Sequence, residues 1–199
     1  MFVTVFVWYF NFVLLLKCFV FNFVENLEMK KLLMLSFAVA GFLTANAQSP
    51  FTCIVDSNKV TILNGILHKN DIATNAAFKG WYSGNQYAYI GDTSVTNIMA
   101  ATNNKVQYVI FGGTWCEDTQ SILPKFFKLQ EQSGLSENNI SLYGVDRNKK
   151  TLGNITAAFK ITNVPTIIVM KDGKEIGRVV EYGKTGKWDT ELAQILKMQ

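Results

Sequence analysis

Cysteine, histidine and proline are scarce in this chain: three cysteines, one histidine and three prolines among 199 residues. Charge of one sign is not concentrated anywhere either. Nineteen Lys and Arg stand against fifteen Asp and Glu, a formal net charge of +4, and the basic residues are scattered rather than clustered. That distribution excludes a nucleic-acid groove, which requires a basic face. Cys18 lies in an N-terminal leader described below, so the processed chain keeps Cys53 and Cys116 with His68. Two thiols are too few for a disulfide-built scaffold, and with one histidine they fall short of a four-ligand zinc site. His68 itself sits in the polar run Leu67-His68-Lys69-Asn70 and reads as a solvated loop residue, not a catalyst. No metal and no cofactor are expected.

The N-terminus holds two apolar segments. Met29-Lys30-Lys31, the apolar run Leu32 to Leu43 and the small-x-small triplet Ala45-Asn46-Ala47 have the plan of a Sec signal peptide, placing the mature start at Gln48. No cysteine adjoins the cleavage site, which argues against a lipoprotein anchor. Residues 1–28 precede that complete signal and are rich in Phe, Val and Asn. They read as a mis-assigned start ahead of Met29, the alternative being a membrane span or anchor over Phe2 to Val24. The expected product is periplasmic or secreted.

The chain is long enough for one ordinary domain once the leader is removed. Residues 48–58 read as an unpatterned polar tail, and Lys59 to Leu67 as a strand. Asn70-Asp71 cap a loosely amphipathic helix carrying Ile72, Ala76, Phe78 and Trp81, which Ser83-Gly84-Asn85 end. A second short helix runs from Thr93 or Ser94 to Ala101. Strands and helices then alternate: Val106 to Phe111, Glu117 to Gln132, Ile140 to Val145 and Ile155 to Phe159. Asp172-Gly173 is a hairpin signal between strands 166–170 and 175–180, and Trp188 to Met198 forms a closing amphipathic helix. This order builds a mixed central sheet with helices on both faces, an α/β fold. Trp81, Tyr82, Tyr87 and Tyr89 read as packing residues of the extension.

The chemistry concentrates at Phe111-Gly112-Gly113-Thr114-Trp115-Cys116-Glu117-Asp118-Thr119, where an apolar strand enters a glycine-softened turn and a cysteine opens a helix. Unpaired backbone N–H groups and the positive end of the helix dipole stabilise a thiolate there. The thiolate is the nucleophile of disulfide exchange.

Trp115-Cys116 resembles the start of the W-C-x-x-C motif of the thioredoxin family, and Pro124 falls eight residues later, where thioredoxins kink that helix. Val164-Pro165-Thr166 resembles the family's cis-proline loop, and the Asp172-Gly173 hairpin and Gly183 its closing strands. The resemblance covers about residues 92–199, the thioredoxin-like domain. Residues 48–91 read as a tail and a short N-terminal helical extension, of which about 60–91 resembles that of extracytoplasmic bacterial thioredoxin-like proteins with W-C-x-D-[ST] motifs. It implies a thioredoxin-like fold, Cys116 as the attacking thiol, and a cis Pro165 that brings the Val164 backbone beside the sulfur. Trp115, Thr119, Val164 and Pro165 are the supporting residues.

Three departures qualify the resemblance. Thr119 replaces the resolving cysteine, so a mixed disulfide on Cys116 requires an outside thiol, a second partner or Cys53. Thr119 is then either a hydrogen-bond donor to the thiolate or an ordinary first-turn residue. Glu117 and Asp118 suit a helix N-terminus but place negative charge beside a thiolate, and they argue against a glutathione site. Ile110 occupies the position of the family's buried aspartate. Three readings follow: a monothiol thiol-disulfide oxidoreductase acting on protein disulfides or small thiols; a thioredoxin-fold binding module using an exposed Trp115 and the cis-proline groove for extended peptides; and a thiol peroxidase. The last is disfavoured because neither Arg147 nor Arg178 has a sequence-level reason to lie beside the cysteine. Cys53 can serve as resolver only where its Cα approaches that of Cys116 to within about 7 Å. Oligomeric state is left open.

Overall fold

The computed structural model describes Lys31 and residues 50–198. The chain divides into two compact units, Met1–Gln48 and Ser49–Gln199. The leader readings, including the signal peptide and the span over Phe2 to Val24, lie outside the described residues apart from Lys31. Among the described residues no helix is long and apolar enough to cross a membrane.

The second unit is built on six strands: β1 (Phe51–Val55), β2 (Thr61–Leu67), β3 (Gln107–Gly112), β4 (Ile140–Gly144), β5 (Thr166–Lys171) and β6 (Lys174–Val180). They lie in the order β1-β2-β4-β3-β5-β6. β3 and β4 are parallel, and every other pairing is antiparallel. The single parallel pair follows from the helix that joins β3 to β4, since parallel neighbours need a crossover whereas antiparallel ones accept a tight turn.

Six helices accompany the sheet: α1 (Lys69–Ala73), α2 (Lys79–Ala88), α3 (Thr93–Ala101), α4 (Glu117–Ser133), α5 (Ile155–Ala158) and α6 (Trp188–Lys197). Alternation along β3 shows how the layers form. Tyr108 and Ile110 enter a large core with residues of α1 to α4 and α6, while Phe111 enters a smaller one with Val145, Val164 and Ile168, against which Ile155 and Phe159 pack. A central strand must bury both faces, and its period of two sends neighbours to opposite sides.

Residues 51–55 are not a tail. They form β1, paired in register from Phe51 opposite Gly65 to Val55 opposite Thr61. The helix expected from Asn70 is two helices, α1 and α2. Its cap is His68, whose backbone N–H donates to Asp71 Oδ2 at 2.7 Å. Ser83-Gly84-Asn85 do not end α2, which continues to Ala88, with Asn85 Nδ2 donating back to the Trp81 carbonyl. Tyr82 is buried, Trp81 packs on the core and the Tyr89 hydroxyl bonds Asp189 at 2.7 Å, but Tyr87 is 90% exposed. Packing therefore accounts for three of the four aromatics.

Candidate active site

Cys116 is the N-cap residue of α4, with extended backbone, and Glu117 and Asp118 occupy the first turn. Its N–H donates to the Gly113 carbonyl at 2.9 Å and its carbonyl accepts from Gln120 N–H, also at 2.9 Å, so the cysteine is fixed from both sides. The side chain is half-buried, and its thiol donates to the Val164 carbonyl at 3.2 Å. The Val164–Pro165 peptide is cis. Thus Cys116, Val164 and Pro165, 48 residues apart from sulfur to carbonyl, meet at one point.

Thr119 does not address the sulfur. It is buried, its hydroxyl accepts from the Gly113 N–H at 3.2 Å, and its methyl faces Gly112 so closely that a Cβ there would lie 2.9 Å from it. Its role in the structure is to clamp the glycine turn that leads to Cys116. Trp115 is half-buried rather than exposed: its indole N–H donates to the Val145 carbonyl at 3.0 Å, and its ring lies over Gly113, where a side chain would collide with Nε1 at 2.6 Å. Gly113 is therefore required by close approach, not by backbone freedom.

Three more residues complete the surroundings: Thr114, which the sequence reading quoted without a role, Asp56, which it missed, and Arg147, which it had set aside but which lies against Trp115. Thr114 donates its hydroxyl proton to the Thr61 carbonyl at 3.1 Å and accepts from the Leu63 N–H at 3.2 Å, tying the turn to β2. Arg147 lies with its guanidinium carbon 5.3 Å from the centroid of the Trp115 ring, within cation–π range. Its Nε donates to Asp56 Oδ2 at 2.6 Å. Asp56 stands in the turn between β1 and β2, where its other oxygen accepts from the N–H groups of Asn58 and Val60, each at 2.9 Å. The Val60 hydrogen bond above all, with Arg147 adding to it, holds the Asp56 carboxyl below its ordinary range. The sequence reading placed Asp56, Ser57 and Asn58 in the polar tail, and nothing local announces a partner 91 residues away. Arg178 lies elsewhere, paired with Glu175 and bonded to the Phe159 carbonyl.

Cys53 and Cys116 are both free. Cys53 is exposed in the middle of β1, opposite Leu63, and is not bonded to Cys116. His68 is exposed at the start of α1. Among the described residues no group of three or more His, Cys, Asp or Glu is placed to hold a metal. A groove of about 770 Å³ between β6 and α6, lined by Arg178 and Glu191 among others, includes none of the site residues.

A strand, a glycine turn, a helix-capping cysteine and a facing cis-proline loop meet on one mixed sheet, and the sequence model of the thioredoxin family matches residues 90–197. The chain belongs to the thioredoxin family. A thioredoxin-like protein of Acanthamoeba polyphaga mimivirus is 33% identical over 76 residues, 38% of this chain and 53% of the viral protein. The chain thus spans about half the length of that relative. Mycobacterium tuberculosis thioredoxin is 29% identical over 86 residues, covering 43% of this chain and 68% of its own. Among solved structures, a Pseudomonas aeruginosa protein of unknown function is 16% identical with a TM-score of 0.47, covering 65% of this chain and 91% of its own. Fasciola hepatica thioredoxin is 22% identical with a TM-score of 0.35, covering 51% and 88%. The thioredoxin match begins after α2, so the β1–β2 hairpin with Asp56 lies outside it.

Proposed function

We propose that this thioredoxin-family chain is an extracytoplasmic thiol-disulfide oxidoreductase that works through a single nucleophile, Cys116. The observation that carries the reading is the sulfur held at the start of α4, 3.2 Å from the Val164 carbonyl of the cis-proline loop. The Cys116 thiolate attacks one sulfur of a substrate disulfide. A new S–S bond forms as the substrate's S–S bond breaks, and the departing sulfur leaves as a thiolate that takes a proton from solvent. Thr119, buried where a resolver would stand, cannot reverse that step. An external thiol attacks the mixed disulfide at the Cys116 sulfur's partner, forms the next disulfide and returns Cys116 as thiolate. Its partners are therefore protein disulfides or small thiols, together with an external reductant. The extracytoplasmic assignment rests on the signal-peptide plan of residues 29–47.

The test is reduction of insulin disulfides by the full chain with dithiothreitol as external thiol. Cys116→Ser is expected to abolish catalysis, and Cys53→Ser to leave it intact. Activity that survives Cys116→Ser sinks the proposal. The buried Thr119 favours a second reading, a binding module without turnover. In that case Cys116→Ser captures the same partner proteins as the parent, and neither variant reduces insulin.

A further inference from the structure

The β1–β2 hairpin contributes a charge pair to the thiol site. Asp56 Oδ1 is occupied by the Asn58 and Val60 N–H groups, so only Oδ2 is left for Arg147, and it takes Nε. Arg147 makes no other hydrogen bond among the described residues, so both terminal nitrogens keep their donors. The side chain is 42% exposed while that of Asp56 is 13% exposed, which leaves the guanidinium as the accessible half of the pair. Its central carbon lies over the ring of Trp115, the residue before the nucleophile, 5.3 Å from the centroid. The turn that carries it is rigid as well: Asp146 accepts from the N–H groups of Asn148 and Lys150, both at 2.8 Å, and Asn64 bonds the Lys150 carbonyl. A guanidinium with fixed position and free N–H groups is pre-organised for a carboxylate. Glu117 and Asp118 stand in the first turn of α4, directly after Cys116. An anionic group entering the site is therefore attracted by Arg147 and repelled by the two carboxylates.

We propose that Arg147, held in place by Asp56 of the hairpin, is a specificity-determining residue that favours disulfides and thiols bearing a carboxylate beside the reacting sulfur. This rests on the reading of Cys116 as the reactive thiol. The two are separated by alkylating the full chain with iodoacetate and with iodoacetamide, reagents that share a leaving group and differ in charge. Rates are read at the Cys116 peptide by mass spectrometry, which keeps Cys18 and Cys53 out of the measurement. In Arg147→Gln the iodoacetate-to-iodoacetamide rate ratio is expected to fall roughly two- to threefold, the order of a single unit-charge interaction in a solvent-like medium. Arg147→Lys restores part of it. A ratio that stays unchanged in Arg147→Gln, with iodoacetamide still reacting at Cys116, overturns this inference alone. A Cys116 inert to both reagents overturns the proposed function together with it.

Discussion

Strand β3, at the centre of the sheet, buries Tyr108, Ile110 and Phe111 completely, whereas β1, at the edge, leaves Ile54 47% and Val55 66% exposed. The two strands lie in one sheet and contribute in different ways. β3 supplies the apolar area that stabilises the fold, at roughly 25 cal/mol per Å² removed from water, and delivers the chain to the Cys116 turn. β1 buries little. Together with β2 it holds a short turn in place so that Asp56 reaches Arg147 and, through it, the surroundings of Trp115. The centre secures the site's existence, and the edge adjusts its electrostatic character.

The contrast is sharpest under core truncation. Phe126, on α4, is fully buried with its ring 5.6 Å from those of both Tyr108 and Phe127. Phe126→Ala is expected to cost about 3–5 kcal/mol in denaturant unfolding. A loss below about 1 kcal/mol would show that the centre tolerates a void and would remove the basis of the comparison.

The joint between the two regions is weaker. Thr114→Val keeps the shape but deletes the hydroxyl that links the Thr61 carbonyl to the Leu63 N–H, leaving a buried donor unpaired. The expected cost is about 1–3 kcal/mol, with Cys116 alkylation altered in the same variant. If stability falls and alkylation does not change, the hairpin is attached to the domain without acting on the site.

The edge itself responds least. Asp56 has its carboxyl held below the ordinary value of 3.8, first by the Val60 N–H. A depressed value in the folded chain means a contribution fully present above the ordinary value and lost only as pH falls through the lower, folded one. Amide chemical shifts of Asn58 and Val60 should therefore stay flat from pH 7 down to the ordinary carboxylate range and move only below it. A midpoint above that range would contradict the hydrogen-bonded turn.

Legibility in the sequence followed the same division. From Thr93 onward the elements announced themselves: β-branched runs mark β3 and β5, and Asp172-Gly173 turns the last hairpin with both residues at positive φ. Trp115-Cys116 and Val164-Pro165 were readable as one site through the resemblance to the thioredoxin family. Before residue 93 the signals weakened. Phe51 to Val55 lacks alternation because four of its five residues face solvent, so only pairing with β2 makes it a strand. The break between α1 and α2 was hidden because Ala76 and Phe78 continue a helical spacing while Asn75 Oδ1 bonds the Ala77 N–H and turns the chain.

The sequence by itself determined that a cysteine opens the helix after β3, that a threonine stands three residues further on, and the order of elements along the matched domain. These depend on residue type and short spacing, which act within a few positions along the chain. Tertiary structure alone decided that Thr119 turns inward to Gly113, that Trp115 is pinned to Val145, and that Asp56 and Arg147 meet across 91 residues. Such contacts have no periodicity to betray them, because they arise only when the sheet brings distant turns to the same end.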